Sequence, residues 1–221
     1  MPGGYPVGIV TALKQQTRDV ARVNVYIDEQ FRFGLTKVLA TQLRIGQELS
    51  DQQIEELLTQ EQFELAYRRA LQLISRRPQT IEEIRMKLHR KQAPAQVIER
   101  VIERLLDTRL LDDFSFARAW VDNRQSFRPR GSNALRAELR QKGVASEIIE
   151  AVLADFDDEE AASRAAEKAY FRYQSLQPET AEQRMMAYLA RRGFNYRLCR
   201  KAVDAIVRDA PVSEDESEVE Q

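Results

Sequence analysis

Residues 97–105, which read VIERVIERL, contain the pattern that decides the fold. Their apolar residues recur at positions i, i+1, i+4, i+5 and i+8, the spacing of one face of an α-helix. The same five apolar positions return at residues 148–156 and at residues 198–206. Three matches at nearly equal spacing predict a repeated unit. The three sets are Val97, Ile98, Val101, Ile102 and Leu105; Ile148, Ile149, Val152, Leu153 and Phe156; and Leu198, Cys199, Ala202, Val203 and Ile206.

Each copy also carries signals for two earlier helices. The first helix of each is expected to end near a proline, because proline cannot continue a helix. Thr80 with Glu83, and Thr180 with Gln183, predict capping boxes that begin the second helix, and Gly131 is a weaker N-cap in the middle copy. The prolines are Pro78, Pro129 and Pro178, and the expected ends of the second helices are Lys91-Gln92, Lys142-Gly143 and Arg192-Gly193.

The chain in front of the repeats has a different pattern. Residues 7–13 and 22–27 alternate as strands do, and residues 28–30 could turn into a further strand at 31–35. Helical pattern resumes at residues 37–43, and Ser50 is the expected N-cap of a helix over residues 51–58. These signals predict a small module that contains a β-hairpin.

Together these patterns predict a mainly α fold, with three tandem three-helix repeats in an extended curved array behind a small β-hairpin-containing N-terminal module. We divide the chain into an N-terminal module at residues 1–61, repeats at 62–111, 112–157 and 158–208, and a disordered acidic tail at 209–221.

Composition favours a soluble cytoplasmic protein. Apolar residues make up 43% of the chain, enough for a core, and no apolar run approaches the roughly 20 residues that cross a bilayer. The first residues lack the pattern of a secretory signal. A single cysteine excludes an internal disulfide and is typical of a reducing compartment.

The net charge of −1 conceals a strong asymmetry along the chain. Residues 66–144 contain 18 Lys and Arg against 9 Asp and Glu, whereas residues 209–221 contain 6 acidic residues and no basic one. A basic middle of this kind favours an anionic partner, either nucleic acid or an acidic protein surface.

The sequence contains few residues that could form a catalytic site. His89 is the sole histidine, and Cys199 occupies a repeat position that isoleucine fills in the other copies. Glycine-rich phosphate-binding loops of the GxxxxGK[S/T] and GxGxxG kinds are absent. Asp112 and Asp113 are better explained as a helix cap than as an acid/base pair. We therefore predict no enzyme activity, no metal, no cofactor and no small-molecule substrate.

The most informative stretch is residues 114–144, FSFARAWVDNRQSFRPRGSNALRAELRQKGV. Its guanidinium groups could bind phosphates or carboxylates bidentately, and Arg128 and Arg130 flank Pro129 in a predicted loop. An ordinary solvated surface without a partner is the alternative. The candidate contact residues are Arg118, Arg124, Arg128, Arg130, Arg136, Arg140 and Lys142, with Arg76 and Arg77 of the first repeat.

Several of these motifs resemble the RecX family, regulators of the RecA recombinase. ARAWVDNR at 117–124, RPRG at 128–131 and LRAELRQKGV at 135–144 are similar to its central motif. ALQLISRRPQTIEEIRMKL at 70–88 and LLDDFSFA at 110–117 are similar to its first unit and the link to the second. The resemblance covers roughly residues 62–207, and VNVYIDEQFRFGL at 23–35 resembles an extension that some members carry.

The resemblance implies a non-enzymatic protein that binds the RecA filament on DNA and mainly inhibits its activity in homologous recombination, DNA repair and the SOS response. Contacts to single-stranded or duplex DNA would be weak, through phosphates and largely independent of sequence. Two other classes stay open. One is a helical DNA-binding transcriptional regulator that reads DNA with a helix near residues 132–142, and the other is a protein adaptor without DNA contact.

Overall fold

The computed structural model describes residues 7–209, so the predicted acidic tail lies almost wholly outside the described residues. The chain divides into two compact units between Leu111 and Asp112. The first unit contains β1 Val7–Gln15, β2 Arg22–Ile27, β3 Gln30–Thr36, α1 Lys37–Ala40, β4 Glu48–Ser50, α2 Asp51–Ile74, α3 Ile81–His89 and α4 Ala95–Asp107. The second contains α5 Asp113–Phe127, α6 Ser132–Gln141, α7 Ser146–Leu153, α8 Asp158–Tyr173, α9 Pro178–Ala190 and α10 Tyr196–Asp209.

The strands form an antiparallel sheet in the order β3-β2-β1-β4. The predicted hairpin of β2 and β3 is confirmed, and its turn places Asp28 and Glu29 at positive φ. The alternation at residues 31–35 predicts that Phe31, Phe33 and Leu35 form one apolar row. Phe31 does not join it, because a bulge shifts the register and leaves this residue 57% exposed beside Tyr26. Strand β4 was not predicted, since three residues are too short to show an alternation.

Helix α2 connects the sheet to the first repeat. Ser50 is its N-cap, as predicted, and forms a capping box with Gln53, but the helix continues for 24 residues, well beyond the predicted end at residue 58. The buried carboxylate of Glu61 accepts a hydrogen bond from the backbone N–H of Thr36 at 2.6 Å and pairs with Arg22 at 3.2 Å. The proposed division between residues 61 and 62 therefore falls inside one helix and stays a prediction.

Each set of three helices encloses its own apolar cluster, and the five-position pattern lies at the centre of each. In α4 all five side chains are buried. Phe156 lies beyond the end of α7 but still packs against the second core. Cys199 is buried in the third core. Ile98 and Ile149 occupy the equivalent positions in the first and second cores.

The caps account for most helix boundaries. Thr80 accepts a hydrogen bond from the backbone N–H of Glu83 at 3.1 Å, and Asp112 caps α5 through the backbone N–H groups of Phe114 and Ser115. The prediction of Thr180 as an N-cap is wrong. Helix α9 begins at Pro178 with Gln177 as its N-cap, three residues before the predicted start, because a proline at the first helical position needs no N–H partner and already has helical φ.

The second and third repeats touch at the N-terminus of α6. Gly131, the predicted N-cap, has no side chain to cap the helix, and the Asp158 carboxylate replaces that cap by accepting from the N–H and the hydroxyl of Ser132 at 2.7 and 2.6 Å. The Gly131 N–H donates to the carbonyl of Arg192 at 3.0 Å. This approach requires glycine at 193, since φ is +86° and a Cβ there would lie 2.5 Å from that of Ala134.

Candidate anion-binding surface

Two of the predicted contact arginines of the second repeat are neutralised inside the fold. The half-buried carboxylate of Glu138 accepts from the indole Nε1 of Trp120 at 2.7 Å and from Nε of Arg124 at 2.8 Å. Its other oxygen lies 2.8 Å from Nη1 of Arg130. Arg124 also lies over the Trp120 ring, with 4.2 Å between its Cζ and the ring centroid. Glu138 thus holds one face of this repeat together.

A third predicted contact residue, Arg136, is bound to Glu150. Its Nε and Nη2 donate to that carboxylate at 2.9 and 3.1 Å. The hydrogen bonds raise the pKa of Arg136 and lower the pKa of Glu150. Arg140, one turn further along α6, is exposed, and Lys142 lies over the Trp120 ring at 5.1 Å.

Arg118 lies in acidic surroundings. It lines a cavity of about 460 Å³ on the second unit, and most charged groups around it are carboxylates. An anionic ligand would be repelled there. The acidic residues of that cavity are Asp122, Asp155, Asp157 and Glu160.

The structure does bring basic residues together at a different place, a cavity of about 470 Å³ where the α5–α6 loop faces the third repeat. We call it the third-repeat groove. Among the described residues that line it, none is a carboxylate. The lining residues are Arg128, Arg130, Arg172, Tyr173, Tyr188, Arg191 and Arg192.

Aromatic rings hold two of these guanidinium groups. Arg192 lies over Tyr188, 4.1 Å from the ring centroid, and its Nη2 donates to the tyrosine Oη at 2.7 Å. Arg172 lies 5.7 Å from the centroid of Tyr173. The two tyrosines pack edge to face at 6.3 Å. A ring face orients a guanidinium group but leaves its charge uncompensated, so most of its N–H donors stay available to an anion.

Of the sequence-predicted residues, Arg128 and Arg130 reach this groove. Arg128 is exposed, and no described carboxylate pairs with it. Arg130 is shared, because Nη1 binds Glu138 while its buried Nε has no hydrogen-bond partner within residues 7–209. The loop around Pro129 therefore places two cations at the groove: Arg128, which has no carboxylate partner among the described residues, and Arg130, which is partly paired with Glu138.

The first repeat has a similar cavity at the same position of its unit. This first-repeat groove, about 380 Å³, lies between the last turns of α2 and α3. Arg90 and Lys91 occupy the positions that Arg191 and Arg192 occupy in the third repeat. The sequence-predicted Arg76 lines it, whereas Arg77 lies outside it and pairs with Glu83 at 2.9 Å. The lining residues are Arg69, Gln72, Leu73, Arg76, Lys87, Arg90 and Lys91.

Five groove residues were missed by the sequence analysis: Arg172, Tyr173, Tyr188, Arg191 and Arg192. They come from a stretch whose acidic and basic residues nearly cancel, so a charge sum over residues 145–208 conceals them. The repeat alignment could have found Arg191 and Arg192, because the second helices of the first and third repeats both end in adjacent basic residues.

No group of three or more His, Cys, Asp or Glu side chains in residues 7–209 is placed to bind a metal ion. Nor does any helix in that range combine the length and the apolar character that crossing a membrane requires.

Three-helix repeats that follow a small sheet in the chain, two of them with basic grooves, define a helical repeat protein with a candidate surface for anions. Comparison with known proteins makes this more specific. Models of the RecX N-terminal domain and of the first, second and third RecX three-helix domains match residues 8–50, 66–105, 112–153 and 157–203.

Individual relatives agree with those matches. Regulatory protein RecX of Lactobacillus delbrueckii subsp. bulgaricus is 30% identical over 209 residues, which are 92% of this chain and 77% of the relative. The RecX protein of Leuconostoc mesenteroides is 26% identical over 208 residues, with the same coverage. A crystal structure of a regulatory protein RecX has 27% identity and a TM-score of 0.68, covering 89% of this chain and 99% of the other. The chain belongs to the RecX family of regulatory proteins.

Proposed function

We propose that this protein binds the RecA recombinase filament on DNA and modulates, mainly inhibits, its activity in recombination and DNA repair, without catalysis of its own. Membership of the RecX family supports the choice of RecA, and the proposal includes a cytoplasmic location. The third-repeat groove supports a surface that contacts anions, since five arginines converge there and none of the described lining residues is a carboxylate.

Within this proposal the contact residues differ in how much reorganisation they need. Arg128 and Arg140 are exposed and could meet RecA carboxylates or DNA phosphates directly. Arg124, Arg130 and Arg136 must first exchange an internal carboxylate for an external anion. Modest contacts from several repeats would then add through multivalency along a filament.

The proposal is tested by the single-strand-dependent ATPase activity of RecA, titrated with this protein. We expect suppression at substoichiometric amounts and weaker suppression by Arg128→Glu. Arg184→Glu is the matched control, since Arg184 is exposed on α9 but does not line the groove. Undiminished ATP hydrolysis at equimolar protein would contradict the proposal.

A sequence-reading transcriptional regulator is less well supported. Its recognition helix would be α6, but Arg136 on that helix is occupied by Glu150 and Leu135 and Leu139 are buried. Few side chains on α6 are then left to read base edges. A footprint at one defined duplex sequence in moderate salt would favour this class over the proposed one.

An adaptor that never touches DNA uses the same arginines differently. In that case Arg128→Glu weakens partner binding equally with and without DNA, whereas a loss that appears only with DNA favours a phosphate contact. Binding of RecA measured in both conditions separates the two.

A further inference from the structure

Two phenylalanines near the third-repeat groove are unusually exposed. Phe127 and Phe171 are 71% and 72% exposed, and neither belongs to the apolar core of its repeat. Each directly precedes an arginine of the groove, Arg128 and Arg172. An exposed ring next in sequence to a groove cation therefore occurs in both the second and the third repeat. Neither ring lines the groove itself, and Phe171 also packs edge to face against Tyr170, with 6.2 Å between the ring centroids.

A direct contact brings the two sides together. The ammonium group of Lys168 on α8 donates to the backbone carbonyls of Ser126 and Phe127 at 3.1 Å each, which fastens the end of α5 to the third repeat. Phe171 follows Lys168 by one helical turn. Both rings consequently lie around one junction, and the Gly131 hydrogen bond to Arg192 fixes the other side of it.

Exposed rings beside uncompensated arginines favour a ligand with flat faces as well as negative charge. Nucleobases in a single strand present such faces, whereas those of a duplex are already stacked on one another. An acidic peptide would use the arginines but would leave both phenylalanines without a partner. The observations thus favour a single strand over either alternative.

We propose that the third-repeat groove is a binding site for single-stranded nucleic acid, with phosphates held by its arginines and bases stacked on Phe127 and Phe171. This inference rests on the proposed function, which places the protein on DNA-bound filaments, and adds which form of nucleic acid it holds and where. Binding is a property of this chain alone, so the inference can fail while suppression of RecA remains.

The test is fluorescence anisotropy of a labelled oligo(dT) strand with the full chain and no RecA. Phe127→Ala and Phe171→Ala are each expected to weaken binding by about fivefold or more, since stacking on one aromatic ring is typically worth that much. Arg191→Ala should weaken binding and also flatten its salt dependence. All three residues are exposed, so the variants should fold, which circular dichroism would verify.

Two controls match the variants in chemistry but lie outside the groove. Phe31→Ala removes a 57% exposed ring from the first unit, and Arg184→Ala removes an exposed cation from α9. Neither should change the affinity for the oligonucleotide by more than about twofold, as expected for surface substitutions away from the contact.

Three results would overturn the inference: no binding of the oligo(dT) strand, equal binding of a duplex of the same length, or unchanged affinity in both phenylalanine variants. Displacement of the strand by an equally charged Asp/Glu peptide at equal concentration would also overturn it, and would identify the groove as a site for acidic protein. The RecA ATPase titration, done separately, shows whether the proposed function fails with it.

Discussion

The arginines of the second repeat and those of the third-repeat groove are held in different ways, although Arg164 and Arg200 elsewhere in the third repeat also pair with carboxylates. In the second repeat Arg124, Arg130 and Arg136 are bonded to the carboxylates of Glu138 and Glu150. In the third, Arg172 and Arg192 lie on tyrosine rings, and no described carboxylate lines their groove. A carboxylate satisfies both the charge and the donors of a guanidinium group, whereas a ring face only orients it. Three arginines of the basic stretch at residues 114–144 are therefore used internally, whereas the guanidinium groups on the tyrosine rings of the groove keep an uncompensated charge.

The largest effect is expected from breaking the junction that brings the two repeats together. Gly193→Ala should lower the free energy of unfolding of the second unit by about 3 kcal/mol, from a positive φ and a clash with Ala134. Urea unfolding followed by the fluorescence of Trp120, the one tryptophan in the chain, measures that unit.

Gly46→Ala is the matched control for that substitution. Its φ of +88° is nearly the same, but no atom lies within 4 Å of the added Cβ, so only the conformational cost of about 1 kcal/mol remains. Equal losses in the two variants, with circular dichroism following the first unit, would show that the repeats do not approach as closely as the structure places them.

Removing Glu138 should convert the second repeat towards the behaviour of the third. Glu138→Ala leaves Arg124, Arg130 and the Trp120 N–H without their acceptor, which should cost about 2 kcal/mol in urea unfolding. The affinity for oligo(dT) should nevertheless rise, because two cations are released. An affinity that falls in step with stability would contradict the contrast between paired and available arginines, and Glu167→Ala on the exposed side of α8 should change neither quantity.

A smaller effect should distinguish Arg136 from Arg191. Because Arg136 lowers the pKa of Glu150, their interaction stabilises the fold above the ordinary pKa of glutamate and is lost as the pH falls through the lowered value. Arg136→Ala should return the pKa of Glu150 towards its usual range in an NMR titration. Arg191→Ala should leave the pKa of Glu150 unchanged. A shift of that pKa in the Arg191 variant would mean that Arg191 also interacts with the charged groups of the second repeat.

The smallest effect concerns the third core. Burial raises the pKa of the Cys199 thiol, so its contribution to stability is complete below the thiol pKa of the unfolded chain, about 8.5, and is lost as the pH rises further. Cys199→Val should remove this part of the alkaline destabilisation with little change at pH 7, since Ile149 fills the same position in the second repeat. Identical urea-unfolding curves of the unchanged protein and the Cys199→Val variant at pH 9.5 would contradict this prediction.

How far the sequence predicts each part depends on whether the signal is local. The third helices were predicted because Val97, Val101 and Leu105 repeat at helical spacing, and that spacing reports burial directly. The error at Thr180 arose because a proline can either end one helix or begin the next, and the sequence alone does not decide between them.

The third-repeat groove was not predicted from the sequence for a different reason. Arg128 and Arg191 are far apart in the sequence, and they meet because two glycines let the repeats approach. The internal pairing of Arg136 depends in the same way on Glu150, which lies on another helix. A basic stretch predicts that cations are present, but only the packing of helices determines which of them remain available to a partner.

The salt dependence of single-strand binding tests this availability most directly. A single strand loses affinity with a slope of about 0.7 in log–log form for each phosphate contact. We expect Arg128→Ala with Arg191→Ala to make the slope shallower by about 1.4, and Arg124→Ala with Arg136→Ala to leave it unchanged. A slope that becomes shallower only in the second pair would contradict the account, because the paired arginines would then be the ones that contact the strand.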